Sequence, residues 1–512
     1  MSQRTILQLP VNRVEGDLDV KVEVADGRVV DAWCSGTMFR GFEQILAGRG
    51  ALDGLVITPR ICGICSTAHL MAASRALDAV AGVVLPGNGM RLRNVALIIE
   101  LVQSDIRHGF LMFMADFANP SYREHPLYDE AVRRYEPLRG QAVIETVRET
   151  RRVLEIVAIL AGQWPHSSYM VPGGVVSVPE RSDLLQSLQL LRQYRQWYEK
   201  RVLGCEIARW NAVKSVSDLD AWIVEKEEHQ ESEIGFFLRF SEKTGLGAAG
   251  KGHGNFISFG SLDLPVETQV KSGKAGDRRL LPAGFARGTT VGPFDPEKIA
   301  EHVSHSWFLE DRGAQHPFDG ATRPYASGFE GRKYSWAKAP RYDGFPAETG
   351  PLAEAVIAGH PLFVDLVGKS GPSVLVRELA RLARPALLLE AAETWLQEMA
   401  AGCGGFYSPP EEIADGVGAG LTEAARGALG HWVKIEDRKI VHYQIITPTA
   451  WNASPRDDGG VRGVMEEALV GTTVRDDQNP VEIGHVVRSF DPCLVCTVHS
   501  LSKAGRTLKV RV

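Results

Sequence analysis

The sequence predicts an α+β fold that is predominantly α: a central bundle of long helices, small peripheral β-sheets, and both chain ends meeting at one metal site. Long segments with helical periodicity occur at 90–117, 141–161, 180–203 and 373–401, whereas the segments with strand-like patterns are short. A Cys-x-x-Cys pair, Cys62 and Cys65, lies near the N-terminus, and a second pair, Cys493 and Cys496, lies near the C-terminus. The two pairs predict that the ends come together.

Each cysteine pair can form one arm of a metal site, because two intervening residues let both sulfurs face one point. Four thiolates make a soft ligand set that suits zinc, an iron–sulfur cluster or nickel. A structural zinc site and two unconnected redox pairs are the alternatives. A shared site argues against independent domains, so residues 1–499 are expected to form one domain, followed by a tail at 500–512.

Composition is typical of a globular protein with a large core. The chain has 512 residues, of which 44% are hydrophobic and 23% charged. The net charge of −6 gives no reason to expect a nucleic-acid partner. Three further cysteines (Cys34, Cys205 and Cys403) are scattered, as in proteins of a reducing compartment. The start shows no signal-peptide pattern, and no stretch of about 18 apolar residues occurs. These observations predict a cytoplasmic protein with no membrane span.

The local patterns place the elements in chain order. Residues 5–33 alternate with a period of two and predict a hairpin closed by Asp26-Gly27. Residues 90–117 are apolar almost all round, which predicts a buried helix that ends at Asn119-Pro120. Further expectations are helices at 141–161, 180–203, 352–368 and 373–401, strands within 245–300, a long ordered loop at 310–350, and a hairpin at 428–446.

Five motifs, in this order, resemble the large subunit of nickel–iron hydrogenases over nearly the whole chain. They are Arg-Val-Glu-Gly at 13–16, Arg-Gly-Phe-Glu at 40–43, Arg-Ile-Cys-Gly-Ile-Cys at 60–65, Ala-Arg-Gly-Ala-Leu-Gly-His-Trp at 425–432, and Asp-Pro-Cys-Leu-Val-Cys-Thr-Val-His at 491–499. The related large chain of respiratory complex I lacks the four cysteines, so it is excluded. A zinc fold has no reason to carry this set of motifs.

The resemblance implies a nickel ion bound by four thiolates and an iron ion that carries carbon monoxide and cyanide. Cys62 and Cys493 match the terminal nickel ligands of the family, and Cys65 and Cys496 match the ligands that bridge the two metals. Electron-rich thiolates allow nickel to change its oxidation state, and a bimetallic centre with an open position can polarise H2.

The same comparison implies roles for residues around the metals. Arg426 matches an arginine beside the open site, and Asp105 and Asp491 are the candidate partners that a buried guanidinium needs. Thr449 matches a hydrogen-bond donor to cyanide, and Glu15 matches the first proton carrier. The alternatives are an ordinary ion pair for Arg426 and a surface acid for Glu15.

Glu43 and His499 resemble ligands of a second, hard cation, usually magnesium, near the chain end. His69 and His108 lie close to the cysteines in sequence and either orient the site or belong to the core. Thirteen residues follow His499, and they include lysines and arginines but no acid. The resemblance implies that a protease removes such a tail after nickel insertion.

These features predict the catalytic subunit of an uptake hydrogenase, which oxidises H2 to protons and electrons. Because no further cysteine cluster is present, an iron–sulfur small subunit is the expected electron-accepting partner. A maturation protease and nickel-insertion proteins are expected as transient partners. One alternative is a hydrogen-sensing subunit that signals to a kinase, since Ile64 and residues 110–113 resemble the branch that includes sensors. The other is a non-redox scaffold that holds zinc.

Overall fold

The computed structural model describes residues 4–265, 278–310, 313–328, 331–402 and 404–497, and the side chains of residues 496 and 497 lie outside this description. The fold class is confirmed, because the chain is helix-rich and its sheets are small. Three predicted site features, the Cys496 side chain, His499 and the tail 500–512, lie outside the described residues, as does Cys403.

The described residues form eighteen α-helices. They are α1 Phe42–Leu46, α2 Asp53–Ile57, α3 Ser66–Ala81, α4 Gly87–Arg107, α5 Tyr128–Tyr135, α6 Gln141–Ala161, α7 Arg181–Trp197, α8 Ile207–Trp210, α9 Val216–Glu225, α10 Glu227–Glu231, α11 Glu233–Thr244, α12 Pro351–Ile357, α13 Pro361–Ser370, α14 Val374–Ala400, α15 Pro448–Asn452, α16 Val464–Leu469, α17 Val481–Ser489 and α18 Leu494–Thr497.

Four long helices form the central bundle. Helix α4 packs against α6 and α14, and α7 closes the ring by packing against both of these. The predicted helix over 90–117 is α4 followed by a π-helical segment, His108–Phe113, and a 3-10 segment, Met114–Ala118. Such π segments often occur at functional sites, and this one places His108 beside the candidate site described below.

Thirteen strands form five small sheets within the described residues. They are β1 Arg4–Pro10, β2 Leu18–Ala25, β3 Arg28–Gly36, β4 Met170–Val171, β5 Gly174–Val175, β6 Asn255–Asp263, β7 Arg279–Arg287, β8 Thr290–Gly292, β9 Ile299–His302, β10 Ala339–Tyr342, β11 Gly416–Ala424, β12 Gly427–Glu436 and β13 Lys439–Ile446. The sheets β1-β2-β3, β6-β7-β8 and β11-β12-β13 are antiparallel.

The sheet β11-β12-β13 packs closely on α3, the helix that follows the first cysteine pair. Strand β11 contains alternating glycines, and a Cβ atom at Gly420 would lie only 1.8 Å from the carbonyl oxygen of Ala72 in α3. Glycine is therefore required for this close approach. The contact places the turn between β11 and β12, which contains Arg426, close to the first cysteine pair.

The structure divides one predicted helix into two. The helix expected over 352–368 is two helices, α12 and α13, which meet at an angle of 104°. Pro361 begins α13 directly after Gly359 and His360, and proline cannot extend the preceding helix. Among the described residues, no single helix has the length and apolarity to cross a membrane, and only this bent pair passes that test together.

Candidate metal centre

The first cysteine arm is positioned by the start of α3. Cys65 directly precedes this helix, and the buried carboxylate of Glu100 on α4 accepts hydrogen bonds from the backbone N–H groups of Thr67 (2.8 Å) and Ala68 (2.9 Å). The indole N–H of Trp164 donates to the same carboxylate at 3.0 Å. Glu100 therefore satisfies N–H groups of the first turn that have no partner within the helix.

The second arm is bound by the N-terminal segment of the chain. The backbone N–H of Leu494 donates to the carbonyl oxygen of Glu15 at 2.6 Å, and residues 15 and 493 form a parallel β-bridge. Gly16 has a φ of +84°, and a Cβ atom there would lie 2.8 Å from the backbone nitrogen of Val495. A side chain at position 16 would thus be strained and would push the second arm away.

Arg40 links the two arms through their backbones. Its guanidinium donates to the carbonyl oxygens of Arg60 (2.9 Å) and Ile61 (2.6 Å) in the first arm. It also donates to the carbonyl oxygen of Val495, in the second arm, at 3.1 Å. One side chain therefore fixes the spacing between segments that are more than 400 residues apart in sequence.

Three of the four predicted cysteine ligands converge at one buried point. The Sγ atoms of Cys62 and Cys493 are 3.6 Å apart, and those of Cys62, Cys65 and Cys493 all lie within 4.8 Å of one another. Among the described residues, no other group of histidine, cysteine or acidic side chains meets this spacing. Three sulfurs this close, each almost inaccessible to solvent, can bind a single soft metal ion.

Arg426 lies beside the cysteines, and Asp491 binds its guanidinium. Its Nε donates to the backbone carbonyl of Asp491 at 2.9 Å, and its Nη2 contacts the Asp491 carboxylate at 3.0 Å. Its buried Nη1 has no hydrogen-bond partner among the described residues. Although burial opposes its charge, Asp491 and the nearby cysteines raise its pKa well above the usual value.

Asp491 is in turn surrounded by cations. His108 Nδ1 lies 2.9 Å from its carboxylate, and an Arg381 nitrogen lies 3.5 Å from it. Although burial would raise the pKa of Asp491, Arg426 and His108 hold that pKa far below its ordinary range. His108 also contacts Glu378 at 3.2 Å. Burial lowers its pKa, but the two carboxylates outweigh this effect and raise it overall.

Asp105, the other predicted partner of Arg426, is placed differently. Its two oxygens accept from Nε (2.9 Å) and Nη2 (2.7 Å) of Arg384, and Arg381 lies 3.9 Å away. Arg384 also donates to the carbonyl oxygen of Ala425 at 2.9 Å. The described contacts therefore connect Asp105 to Arg426 only indirectly, through Arg384 and the Ala425 carbonyl and through Arg381 and Asp491.

A chain of three buried polar rings leads away from the cysteines. His69, which lines a small cavity together with Cys65 and Cys493, has its Nδ1 3.1 Å from Nε2 of His431. His431 Nδ1 is 2.9 Å from the hydroxyl of Tyr443. Burial lowers the pKa of His69 to about 4 and that of His431 well below its usual value, so both rings are neutral.

Thr449 and Glu15, two predicted site residues, both adjoin the second arm. Thr449 lines the same cavity, and its hydroxyl oxygen accepts from the backbone N–H of Cys493 at 2.9 Å. The hydroxyl hydrogen therefore points away from that bond. Glu15 is half-buried, and its pKa is raised by burial and by the nearby Cys62.

Glu43 is buried beside a second, polar cavity. One carboxylate oxygen accepts from the backbone N–H of Ile445 at 3.0 Å, and the other accepts from the Thr322 hydroxyl. Glu301 and Lys338 line the cavity with it, at 3.4 Å from each other. Burial raises the pKa of Glu301 to about 7. His499, the predicted second ligand of a cation at Glu43, lies outside the described residues.

Comparison with known proteins identifies the family. The family profile described as "Nickel-dependent hydrogenase" matches residues 40–125 and 119–499. The chain belongs to the nickel-dependent hydrogenase large-subunit family. It is the catalytic large subunit of a hydrogenase, and its membership implies a nickel–iron centre and pairing with a small subunit. The predicted enzyme class is confirmed, and the zinc-scaffold alternative is wrong.

Two relatives and two solved structures show the extent of the similarity. The chain is 34% identical to the periplasmic NiFeSe hydrogenase large subunit of Desulfomicrobium baculatum, covering 96% of this chain and 94% of the relative. It is 30% identical to the uptake hydrogenase large subunit of Rhodobacter capsulatus, covering 98% and 96%. The NiFeSe hydrogenases of Desulfovibrio vulgaris Hildenborough (33% identity) and Desulfomicrobium baculatum (32%) superpose with TM-scores of 0.80 and 0.79, covering 97% of this chain and 100% of theirs.

The expectation of a cytoplasmic location is wrong. The 34%-identical relative is named as periplasmic, and the other named relatives are uptake and hydrogenase-2 large subunits. The prediction relied on scattered cysteines and the lack of a signal pattern in one chain. Neither observation determines the compartment of a subunit that is assembled with another chain. The sensor alternative gains no support from these relatives.

The buried residues fit a nickel–iron centre by their chemistry. The converging thiols supply the soft donors that nickel and iron prefer. Nη1 of Arg426, which has no hydrogen-bond partner within the described part of the chain, could donate to an anionic ligand of the metals. Sequence reasoning assigned no role to Arg40, Glu100, Arg381 or Arg384. Arg40 is part of the motif at 40–43, whereas Arg381 and Arg384 gave no signal because Asp105 and Asp491, which link them to the site, are distant in sequence.

Proposed function

We propose that this chain oxidises H2 to protons and electrons at a nickel–iron centre whose iron carries carbon monoxide and cyanide. Cys62 and Cys493 would bind nickel terminally, and Cys65 and Cys496 would bridge the two metals. When bound, this centre supplies the Lewis-acid and redox chemistry that splits H2 heterolytically. The convergence of the Cys62, Cys65 and Cys493 sulfurs within 4.8 Å carries the proposal.

The surrounding residues would perform the remaining tasks. Arg426 would donate its unpartnered Nη1–H into the site, while Asp491 and, through Arg384, Asp105 hold the guanidinium and its backbone in place. Thr449 would donate its hydroxyl hydrogen to a cyanide. Glu15 would take a proton from a cysteine sulfur and pass it outward, a role suited to a carboxyl whose pKa is raised.

Glu43 and His499 would bind a magnesium ion, or a similar divalent cation, near the end of the mature chain. A carboxylate beside the polar cavity, with backbone oxygens and water, is the ligand type that such a hard cation prefers. Residues 1–499 would form one domain. A maturation protease would remove 500–512 after nickel-insertion proteins have loaded the metal.

An iron–sulfur small subunit would receive the electrons. The sequence offers only Cys34, Cys205 and Cys403 outside the two pairs, which are too scattered in sequence to supply a second cluster. Uptake activity is proposed because the relatives include uptake hydrogenases of high coverage.

The test is a Cys62→Ser variant produced with its small subunit and maturation proteins, with Cys205→Ser as the matched control. The wild type and Cys205→Ser are expected to contain nickel and iron, to show infrared bands of metal-bound carbon monoxide and cyanide, and to reduce a dye with H2. Cys62→Ser should lack nickel and activity, because one thiolate ligand is missing. Zinc without nickel in the wild type would overturn the proposal.

A further inference from the structure

Glu423, at the end of β11, is a buried carboxyl group that the proposed reaction does not use. It has no exposed surface, and one oxygen accepts from the Ser258 hydroxyl (3.0 Å) and the Phe259 backbone N–H (2.6 Å). Its second oxygen, Oε2, has no donor among the described residues. An ionised carboxylate with one oxygen unsatisfied in the core is strongly unfavourable.

A second buried carboxyl group lies against Glu423. The Glu354 side chain lies close enough to interact electrostatically with Glu423, and both oxygens of Glu354 accept from Nη1 of Arg384, at 2.7 and 2.9 Å. Two carboxylates in contact inside a protein cannot both stay charged, because their repulsion is poorly screened there. Since Arg384 neutralises Glu354, the proton belongs on Glu423.

The charges of the surrounding network support this assignment. Ion pairs connect all of its described members in one continuous set. The cations are His108, Arg381, Arg384 and Arg426, and the carboxylates are Asp105, Glu354, Glu378 and Asp491. The four cations and four carboxylates balance when His108 is protonated. Glu423 would be a fifth carboxylate, and no described arginine, lysine or histidine forms an ion pair with it.

We propose that Glu423 is a neutral glutamic acid that donates its Oε2 proton to Glu354 and thereby acts as a positioning residue for Arg426. Burial and the adjacent Glu354 carboxylate both raise the pKa of Glu423 well above its usual value, in agreement with the geometry. Arg384 transmits the effect, because it binds Glu354 and the carbonyl oxygen of Ala425, directly before Arg426.

The protonation state decides whether this arrangement is stable. A neutral Glu423 stabilises the Glu354 carboxylate with a hydrogen bond and leaves Arg384 bound to Glu354, Asp105 and Ala425. An ionised Glu423 would repel Glu354 and compete for Arg384, which would withdraw a donor from the Ala425 carbonyl. A neutral amide at position 423 should therefore preserve the arrangement that the protonated acid stabilises, whereas an apolar residue should not.

Infrared difference spectroscopy in alkaline buffer tests the protonation directly. The spectrum of the metal-loaded wild-type complex minus that of Glu423→Gln is expected to contain the C=O stretching band of a protonated carboxylic acid, and this band should shift in D2O. Alkaline buffer keeps Glu100, Glu301 and Glu466, each with a pKa raised to about 7, ionised and out of this region. Absence of the band overturns the proposal.

Three substitutions separate a neutral residue from a charged one. Glu423→Gln should keep the wild-type thermal midpoint and nickel content, because its amide can accept from Ser258 and donate to Glu354. Glu423→Leu should lower the midpoint and shift the infrared bands of the loaded site, and Gln should rescue both. Glu378→Gln is the matched control, since it removes a required negative charge. If Glu423→Gln is as damaging as Glu378→Gln, then Glu423 is ionised and the proposal is wrong.

Discussion

Arg426 is the residue at which the buried ion-pair network meets the cysteine site. Its guanidinium is bound by Asp491, and its Nη1 has no hydrogen-bond partner among the residues that the structure describes. A charge this deeply buried is tolerated only with carboxylate partners, and leaving it unpaired costs several kcal/mol. The network of aspartates, glutamates and arginines therefore supplies the carboxylate partners that allow Arg426 to stay charged beside the cysteines.

The proposed role of Glu15 as proton carrier gives a prediction at this scale. If Glu15 carries the proton, Glu15→Gln removes the carrier without changing the side-chain size, so H2 oxidation should fall by roughly 10²–10⁴-fold. Nickel content and the infrared bands of the site should be retained. Dye reduction with H2 measures the oxidation rate, and metal analysis measures the nickel content. A variant with wild-type turnover would show that protons leave by another route.

The pH profile gives the accompanying control. Glu15 must be ionised to accept a proton, so the rate should fall as the pH drops through its pKa. Because burial and Cys62 raise that pKa, the acidic limb should lie above the value of 4.5 for an exposed glutamate. Glu15→Gln should lack this limb. Persistence of the limb in the variant would assign it to another group.

At the scale of single elements, the start of α3 determines the position of the first cysteine arm. The Glu100 carboxylate accepts from two N–H groups in the first turn and from the indole of Trp164. In Glu100→Gln an NH2 group replaces one acceptor and faces these donors. The variant should lose about 1–3 kcal/mol of unfolding free energy and bind less nickel, because Cys65 directly precedes the helix.

Chemical denaturation and metal analysis of Glu100→Gln provide the measurement. Glu155→Gln on α6 is the matched control, since Glu155 is exposed and the same substitution there should change stability by less than about 0.5 kcal/mol. If both variants have wild-type stability and nickel content, then Glu100 does not position the arm.

Periodicity predicted the long helices because their apolar positions repeat along the chain. Periodicity failed at 352–368, where Gly359 and Pro361 separate two helices. It also failed to predict strand β11, because the alternating glycines of this strand give no clear apolar–polar pattern. The cysteine arms were predictable because their ligands are paired locally. The partners of Arg384 were not, since Asp105 lies 279 positions away and only the packed bundle brings the two together.

At the scale of the molecule, the two chain ends form one structural unit around the site. Glu15 pairs with the segment that contains Cys493, and Arg40 donates to both arms. A metal that binds sulfurs from both arms adds a further link between them. Binding to the folded state alone stabilises it, by about 4 kcal/mol when the free metal exceeds its dissociation constant a thousandfold.

Metal loading should therefore protect both ends of the chain together. In the complex with its small subunit, amide hydrogen exchange at residues 13–16 and 491–495 should slow in the nickel-loaded protein compared with protein produced without nickel. The two segments should change in parallel, because opening either arm breaks the same set of metal bonds. Cys62→Ser, which cannot complete the ligand set, should exchange at the nickel-free rate in both segments whether or not nickel is supplied. Protection confined to one segment would mean that the metal binds one arm only, and would contradict a shared site.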